Sequence, residues 1–100
     1  MLTGKQRSYL KGLAMQLEPT VYIGKNELTE AVLKEMDDYL AAHEMVKVKI
    51  QESSTLVPKE AANDAAAKLK AEFVQAIGRK FTLYRESKEN KQIFIPGKAK

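Results

Sequence analysis

A chain of 100 residues with 44% apolar and 30% charged side chains has the size and composition of one ordinary globular domain. It contains no cysteine, which excludes a disulfide framework and a thiolate metal site, and no apolar run approaches the roughly 20 residues of a transmembrane helix. Residues 1–5 lack the apolar stretch of a signal peptide, so we expect an intracellular, cytoplasmic protein.

The net charge of +4 is distributed unevenly along the chain. Residues 1–25 contain four Lys/Arg and one acidic residue, and residues 58–100 contain ten and five. Residues 26–57 reverse the balance, with three basic and seven acidic side chains. This segregation predicts a basic surface built by the two ends of the chain and an acidic patch between them. Nucleic acid is the leading partner for such a surface, although a solvated surface without a partner accounts for the charge alone equally well.

The N-terminal segment predicts an amphipathic helix. Thr3 and Gln6 have the spacing of a capping box, in which each side chain binds a free backbone amide of the first turn. Apolar residues then recur every three to four positions, which indicates a helix over residues 4–17. Pro19 ends this helix because proline cannot continue the backbone hydrogen-bond pattern.

A strand and a second helix follow. The β-branched and aromatic run at residues 20–23 predicts a strand that stops at Gly24. Helical apolar spacing then returns over residues 28–43. The outward face of this second helix carries four carboxylates and forms the predicted acidic patch: Glu30, Glu35, Asp37 and Asp38.

The sequence of the second half of the chain predicts a strand, a helix and two further strands, in that order. Apolar and polar residues alternate over residues 45–51, as in a strand with one wet face, and Pro58 suits the first turn of a small-residue helix. Residues 73–77 and 81–86 read as two strands joined by a two-residue turn that begins with glycine. The order α-β-α-β-α-β-β predicts a single compact α+β domain with a mixed four-stranded sheet, parallel around residues 20–50 and antiparallel in the final hairpin.

The residues that catalysis would need are scarce. His43 is the single histidine, and its place at the end of a helix is explained by the helix dipole. Asp37 and Asp38 are adjacent, so their carboxylates point in different directions around the helix. No P-loop, nucleophile elbow or metal-ligand cluster is present. We therefore expect no enzymatic activity, no cofactor and no metal.

Basic side chains interleaved with polar and aromatic ones are the stronger signal. Single-stranded or irregular RNA fits this mixture, because bases stack on aromatic rings while phosphates pair with lysine and arginine. On the wet sheet face, Lys47 and Lys49 would join Tyr22, Thr82 and Tyr84, although half-buried strand tyrosines would fit the pattern as well. The remaining candidates lie in the first helix, in the loop after the first strand, and in or beside the hairpin: Arg7, Lys11, Lys25, Arg79, Lys80 and Arg85.

Four segments, LTGKQRSYLKGLA, LEPTVYIGKNELTEAV, HEMVKVKI and QAIGRKFTLYR, together resemble the CRM domain, the YhbY-like family of small RNA-binding proteins. The resemblance extends from Leu2 to about Arg85. It implies a fold related to the C-terminal domain of bacterial translation initiation factor three. It also implies RNA binding, which in bacterial members concerns precursors of the large ribosomal subunit. We expect residues 1–96 to form this domain and residues 97–100 to be a loose tail.

The family's GxxG loop, likened to the RNA-gripping loop of KH domains, falls on Gly24, Lys25, Asn26 and Glu27. The first glycine matches, whereas the second is a glutamate whose carboxylate would repel phosphate. We expect a loop that still has a shape suited to RNA but binds it more weakly. Lys25, Arg79, Lys80 and the first helix would then contribute more of the RNA binding. Replacing Glu27 with glycine should then tighten RNA binding and lower stability.

Two functions fit the sequence. The first is binding of ribosomal RNA in precursors of the large subunit by a monomer. The second is a protein-interaction adaptor, in which the acidic second helix docks an assembly GTPase or a ribosomal protein. A hairpin tip buries little surface, so replacing Arg79 and Lys80 together should weaken RNA binding without unfolding the domain.

Overall fold

In the computed structural model, which describes residues 3–25, 27–90 and 93, three helices and four strands follow one another in the predicted order. The elements are α1 (Gly4–Ala14), β1 (Val21–Ile23), α2 (Glu30–His43), β2 (Met45–Ile50), α3 (Pro58–Leu69), β3 (Glu72–Ile77) and β4 (Lys80–Tyr84). The predicted α+β class is therefore confirmed. The predicted tail at residues 97–100 lies outside the described residues.

The four strands form one mixed sheet in the order β1-β2-β4-β3. β1 and β2 are parallel and β3 and β4 are antiparallel, as predicted. β4 is also antiparallel to β2, a pairing that the sequence did not indicate. Parallel strands end at the same edge of a sheet, and the β3–β4 turn lies at that edge too. We call this edge the loop end. It comprises the loops that follow β1 and β2, at residues 24–29 and 51–57, together with the Gly78–Arg79 turn.

The main core lies between one face of the sheet and helices α2 and α3. Alternate residues of the strands point into it, and the alanines of α3 allow that helix to pack closely on the sheet. Its buried members are Val21, Ile23, Met36, Leu40, Val46, Val48, Ile50, Ala61, Ala62, Ala65, Ala66, Phe81 and Leu83.

Helix α1 packs on the opposite face of the sheet and covers only part of it. A second buried cluster lies beneath it, formed by Leu10, Ala14, Met45, Val74 and Tyr84. Tyr84 and Thr82 are each 1% exposed, so the prediction that these two residues lie on a wet sheet face is wrong. The physical reason is that α1 folds back over this part of the sheet, which the alternation of β4 alone does not reveal.

Helix α1 is shorter than predicted and ends at Ala14. The amides of Gln16 and Leu17 donate to carbonyls three residues back, which converts the expected last turn into tighter turns. Lys47 Nζ then donates to the carbonyl oxygens of Ala14 and Leu17 at 3.0 and 3.1 Å. The half-buried Lys47 ammonium therefore caps the C-terminal end of α1. The predicted capping box at Thr3 and Gln6 is confirmed at the other end.

Helix α2 begins at Glu30, two residues later than predicted, because the Thr29 side chain accepts the Val32 amide at 3.1 Å and so serves as the N-cap. With 14 residues it is the longest of the described helices. Across the residues that the structure covers, no helix combines the length and apolar character that crossing a membrane would require.

Candidate nucleic-acid interface

The loop end collects positive charge from three separate parts of the chain. Lys25 lies in the loop after β1, while Lys49 of β2 and Lys80 of β4 are direct cross-strand partners, and all three side chains are exposed. Helices α2 and α3 also begin at this end, so the positive ends of both helix dipoles point toward it. This arrangement favours binding of an anion such as an RNA phosphate.

The loop after β1 forms a tight turn. The Glu27 amide donates to the Gly24 carbonyl at 3.0 Å, and the Thr29 amide donates to the Glu27 carbonyl at the same distance. Glu27 has a φ of 62°, a left-handed conformation in which glycine is favoured. The position aligned with the second glycine of the predicted GxxG loop thus has a backbone conformation that favours glycine, although the residue is glutamate. Asn26, predicted to bind RNA, lies outside the described residues.

The Glu27 side chain ties the two loops of the loop end together. Thr55 Oγ1 donates to Glu27 Oε2 at 2.8 Å, so the carboxylate is held against the loop that follows β2. The hydrogen bond offsets part of the backbone strain at Glu27 and orders the turn. The negative charge nevertheless remains beside Lys25, in the position where the sequence predicted repulsion of phosphate.

A shallow cleft of about 410 Å³ opens between these loops. Gly24, Lys25 and Glu27 line one side, and Gln51 and Ser53 line the other. A Cβ on Gly24 would lie 3.3 Å from Gln51 Oε1, so glycine keeps this side of the cleft open. The sequence did not predict Gln51 and Ser53 as residues of this site. The parallel pairing of β1 with β2 could have indicated them, since the loops after parallel strands meet at one edge.

Arg79 holds the loop after β2 in place. Its Nε donates to the Ile50 carbonyl at 2.9 Å, and its Nη2 donates to the carbonyls of Gln51 and Ser54 at 2.7 and 3.1 Å. The turn itself has the predicted form, with Gly78 at a φ of 60°. The hairpin tip was expected to contribute little to the fold, but the Arg79 guanidinium bonds the carbonyl of the last residue of β2 and two carbonyls of the loop that follows it.

Arg85 lies at the opposite end of the sheet from the Lys25 loop. Its Nη1 donates to Asp37 Oδ1 at 2.7 Å and to the Leu69 carbonyl at 2.9 Å, and its Nη2 donates to the Asp37 carbonyl at 3.1 Å. Arg85 thus joins α2 to the end of α3. Of the four carboxylates predicted on the outward face of α2, Asp37 is half-buried and pairs with Arg85.

The two cations predicted on the first helix also lie away from the loop end. Arg7 is half-buried and its Nε donates to the Phe73 carbonyl at 3.3 Å, near the start of β3, whereas Lys11 is exposed. The structure therefore brings together five of the predicted residues: Gly24, Lys25, Lys49, Arg79 and Lys80. It places Arg7, Lys11, Lys47, Tyr84 and Arg85 elsewhere on or within the fold.

Comparison with known proteins gives consistent relatives over nearly the whole chain. A protein of Bacillus subtilis named probable RNA-binding protein YqeI is 38% identical over 100 residues, covering 96% of this chain and 100% of that protein. An RNA-binding protein of Haemophilus influenzae is 42% identical over 97 residues, covering 97% of each chain.

A solved structure agrees with the fold as well. The solution structure of a hypothetical Staphylococcus aureus protein, titled as a candidate for RNA binding, superposes with a TM-score of 0.81 at 42% identity. The match covers 96% of this chain and 100% of that one. Residues 2–85 also match the CRS1/YhbY (CRM) domain family. From its sequence and its architecture, the chain belongs to the CRS1/YhbY (CRM) domain family.

Proposed function

We propose that this protein binds ribosomal RNA in precursors of the large ribosomal subunit and catalyses no reaction itself. Membership of the CRM family and the RNA-binding names of the relatives support RNA as the partner. The observation that carries the proposal is the loop end, where Lys25 lies in a glycine-containing turn before a helix N-terminus and the exposed Lys49 and Lys80 lie near the same edge of the sheet. Phosphate binding is the chemistry that this arrangement serves best.

The test is association with assembly particles in cells. Lys25→Ala and Lys80→Ala should reduce cosedimentation with precursors of the large subunit and reduce crosslinking to their RNA. Lys88→Ala is the matched control, because Lys88 is an exposed lysine that follows β4 at the opposite end of the sheet. Equal losses in all three variants would indicate a general charge effect and would contradict a site at the loop end.

The adaptor function predicts the opposite pattern. Glu30 and Glu35 are exposed on α2, whereas Asp37 pairs with Arg85 and Asp38 forms an ion pair with Lys34 at 3.4 Å. The structure thus leaves a smaller acidic surface than the sequence suggested. If Glu30→Ala with Glu35→Ala abolishes particle association while Lys25→Ala does not, the adaptor function replaces the RNA-binding proposal.

Affinity should depend on salt. With three lysines near the loop end, we expect micromolar or weaker binding at physiological salt. Each neutralised phosphate contributes about −0.7 to −0.9 to the slope of log affinity against log salt, so three contacts give a slope of about −2 to −3. Lys25→Ala should make the slope shallower by roughly one such contact. Fluorescence anisotropy on one ribosomal RNA fragment over a salt series measures it. An affinity independent of salt would contradict phosphate binding.

Glu27→Gly should tighten RNA binding by up to about fivefold, or about 1 kcal/mol, because it removes a carboxylate beside the phosphate position. The loss of stability expected from sequence should be small or absent, since the left-handed φ of 62° costs a non-glycine residue about 1–2 kcal/mol. Loss of the Thr55 hydrogen bond and the entropy of glycine offset that gain by a similar amount. RNA titrations beside urea melts measure both quantities.

Two control variants separate charge from backbone at this position. Glu27→Ala removes the carboxylate but keeps the left-handed residue, so it should tighten binding while lowering stability. Thr55→Ala breaks the same hydrogen bond and keeps the carboxylate, so it should not tighten binding. Unchanged or weaker binding by both Glu27 variants would mean that this loop does not meet phosphate.

A further inference from the structure

A row of four side chains crosses the open part of the sheet face beside α1. Tyr22 of β1 pairs in register with Lys49 of β2, Lys49 pairs with Lys80 of β4, and Lys80 pairs with Ile77 of β3. Their neighbours in each strand point into the main core, so all four side chains point to the other face. Tyr22 is 50% and Ile77 57% exposed, and both lysines are exposed.

A cleft of about 420 Å³ adjoins this row. Its lining includes Met15, Gln75, Ile77, Lys80 and Thr82, and the side chain of Met15 is 66% exposed. Among the described residues that line it, none carries a carboxylate. The row thus supplies an aromatic ring and two cations, and the adjoining cleft adds apolar side chains with no carboxylate in its lining. This combination suits an anionic ligand that has flat apolar faces.

Two polar side chains that line the cleft have weak or missing hydrogen-bond partners within the described residues. Thr82 is 1% exposed, and its hydroxyl has no hydrogen-bond partner within the described part of the chain. Gln75 Nε2 contacts the Met15 thioether sulfur at 3.8 Å, and a thioether is a weak acceptor. A buried hydroxyl without a partner costs free energy, so a ligand group that entered the cleft and bonded the Thr82 hydroxyl would recover part of that cost.

We propose that this row and its cleft bind unpaired nucleotides of RNA, with a base stacked on Tyr22 and phosphates paired with Lys49 and Lys80. The polar edge of a base or a ribose hydroxyl enters the cleft toward Thr82 and Gln75. Stacking on an aromatic ring requires a free base face, which single-stranded RNA offers and a duplex does not. The inference rests on the proposed RNA-binding function and adds to the loop end a site that selects unpaired RNA.

Tyr22→Trp provides a direct test, because the chain contains no tryptophan and the new side chain would be the sole indole reporter. Its fluorescence should be quenched when a short unstructured RNA binds and unchanged when a blunt duplex of the same strand with its complement binds. Tyr9→Trp is the matched control, since Tyr9 is 41% exposed on α1 and is not part of the row. It should show no quenching with either RNA.

Affinity measurements on the same RNAs complete the test. Tyr22→Ala should weaken binding of the unpaired RNA about fivefold or more, whereas Tyr22→Phe should keep it within about twofold, because phenylalanine retains the stacking face. Thr82→Val should leave the melting temperature unchanged or raise it, since the hydroxyl removed has no partner, but should weaken binding of the unpaired RNA several-fold. A merely structural role for Thr82 would not separate stability from affinity in this way.

The outcomes distinguish this inference from the function on which it rests. If the unpaired RNA binds the wild-type protein and the indole fluorescence of the Tyr22→Trp variant does not change, the row is not the base-binding site and the inference fails alone. Equal quenching by the duplex would overturn stacking in favour of phosphate contact. If an acidic peptide quenches the indole of this variant as RNA should, the row binds a protein instead. If no RNA binds the wild-type protein, the proposed function fails with it.

Discussion

Replacing Arg79 with alanine should lower the free energy of unfolding by about 2–4 kcal/mol and weaken RNA binding as well. The guanidinium donates to the carbonyls of Ile50, Gln51 and Ser54, and hydrogen bonds from charged donors contribute about 1.5–3 kcal/mol each when well shielded. Arg79 is exposed, so solvent screening reduces each of the three bonds below that range. In urea melts, the midpoint should fall while the slope stays constant.

The loss of RNA binding by Arg79→Ala follows from its position. Without the guanidinium, the loop after β2 loses its anchor to the hairpin, and that loop supplies Gln51 and Ser53 to the cleft beside Gly24. Arg79 is thus a positioning residue for the loop-end cleft. We expect Arg79→Lys to recover only part of the stability, because an ammonium group is a compact donor that cannot reproduce the planar fork of a guanidinium.

Lys80→Ala is the matched control for Arg79→Ala, since Lys80 is the next residue and its side chain is exposed. It should change stability by no more than about 0.5 kcal/mol while still weakening RNA binding. An Arg79→Ala protein as stable as Lys80→Ala would show that the three carbonyl contacts contribute nothing to the fold. In that case the sequence-based expectation that Arg79 can be replaced without loss of the fold would hold.

The largest effect on stability should come from Glu44→Ala, at about 3 kcal/mol or more. Glu44 is fully buried, and its carboxylate accepts the amides of Ser87 and Ile93 at 2.7 and 2.8 Å. Truncation leaves both amides without that acceptor, at about 1–3 kcal/mol for each buried donor left unsatisfied, and adds a cavity. Urea melts measure the total. Faster hydrogen exchange at Ser87 and Ile93 would locate the effect in the segment after β4.

The Glu44→Gly variant separates the contribution of the carboxylate to stability from the contribution of the backbone conformation. Glu44 is the C-cap of α2 and has a φ of 67°, which glycine adopts without strain. The glycine variant should therefore be about 1 kcal/mol more stable than the alanine variant, although both lose the carboxylate. Glu89→Ala, at an exposed position nearby, should be neutral. If Glu44→Ala is also neutral, the two carboxylate–amide bonds do not hold this segment.

The order of the elements and much of the local geometry follow from the sequence alone. The Thr3 capping box and the glycine-first turn between β3 and β4 depend on neighbouring residues, and the helices and strands follow from the period of apolar side chains. The parallel pairing of β1 with β2 follows from the strand–helix–strand order. These local features do not depend on contacts with distant parts of the chain, so the sequence alone predicts them. The position of the Lys25 loop between a strand and a helix belongs to the same class.

Only the tertiary structure decided which cations remain available to a ligand. Arg7, Lys47, Arg79 and Arg85 have the same sequence signature as Lys25, Lys49 and Lys80, yet each of the four donates to carbonyls of residues distant in sequence. A carbonyl is present at every residue and carries no sequence signal, so no pattern indicates which side chain will reach one. Burial of Tyr84 under α1 was decided in the same way. The composition of the basic surface is therefore a consequence of packing between distant segments, and the sequence alone determines only which side chains are candidates for it.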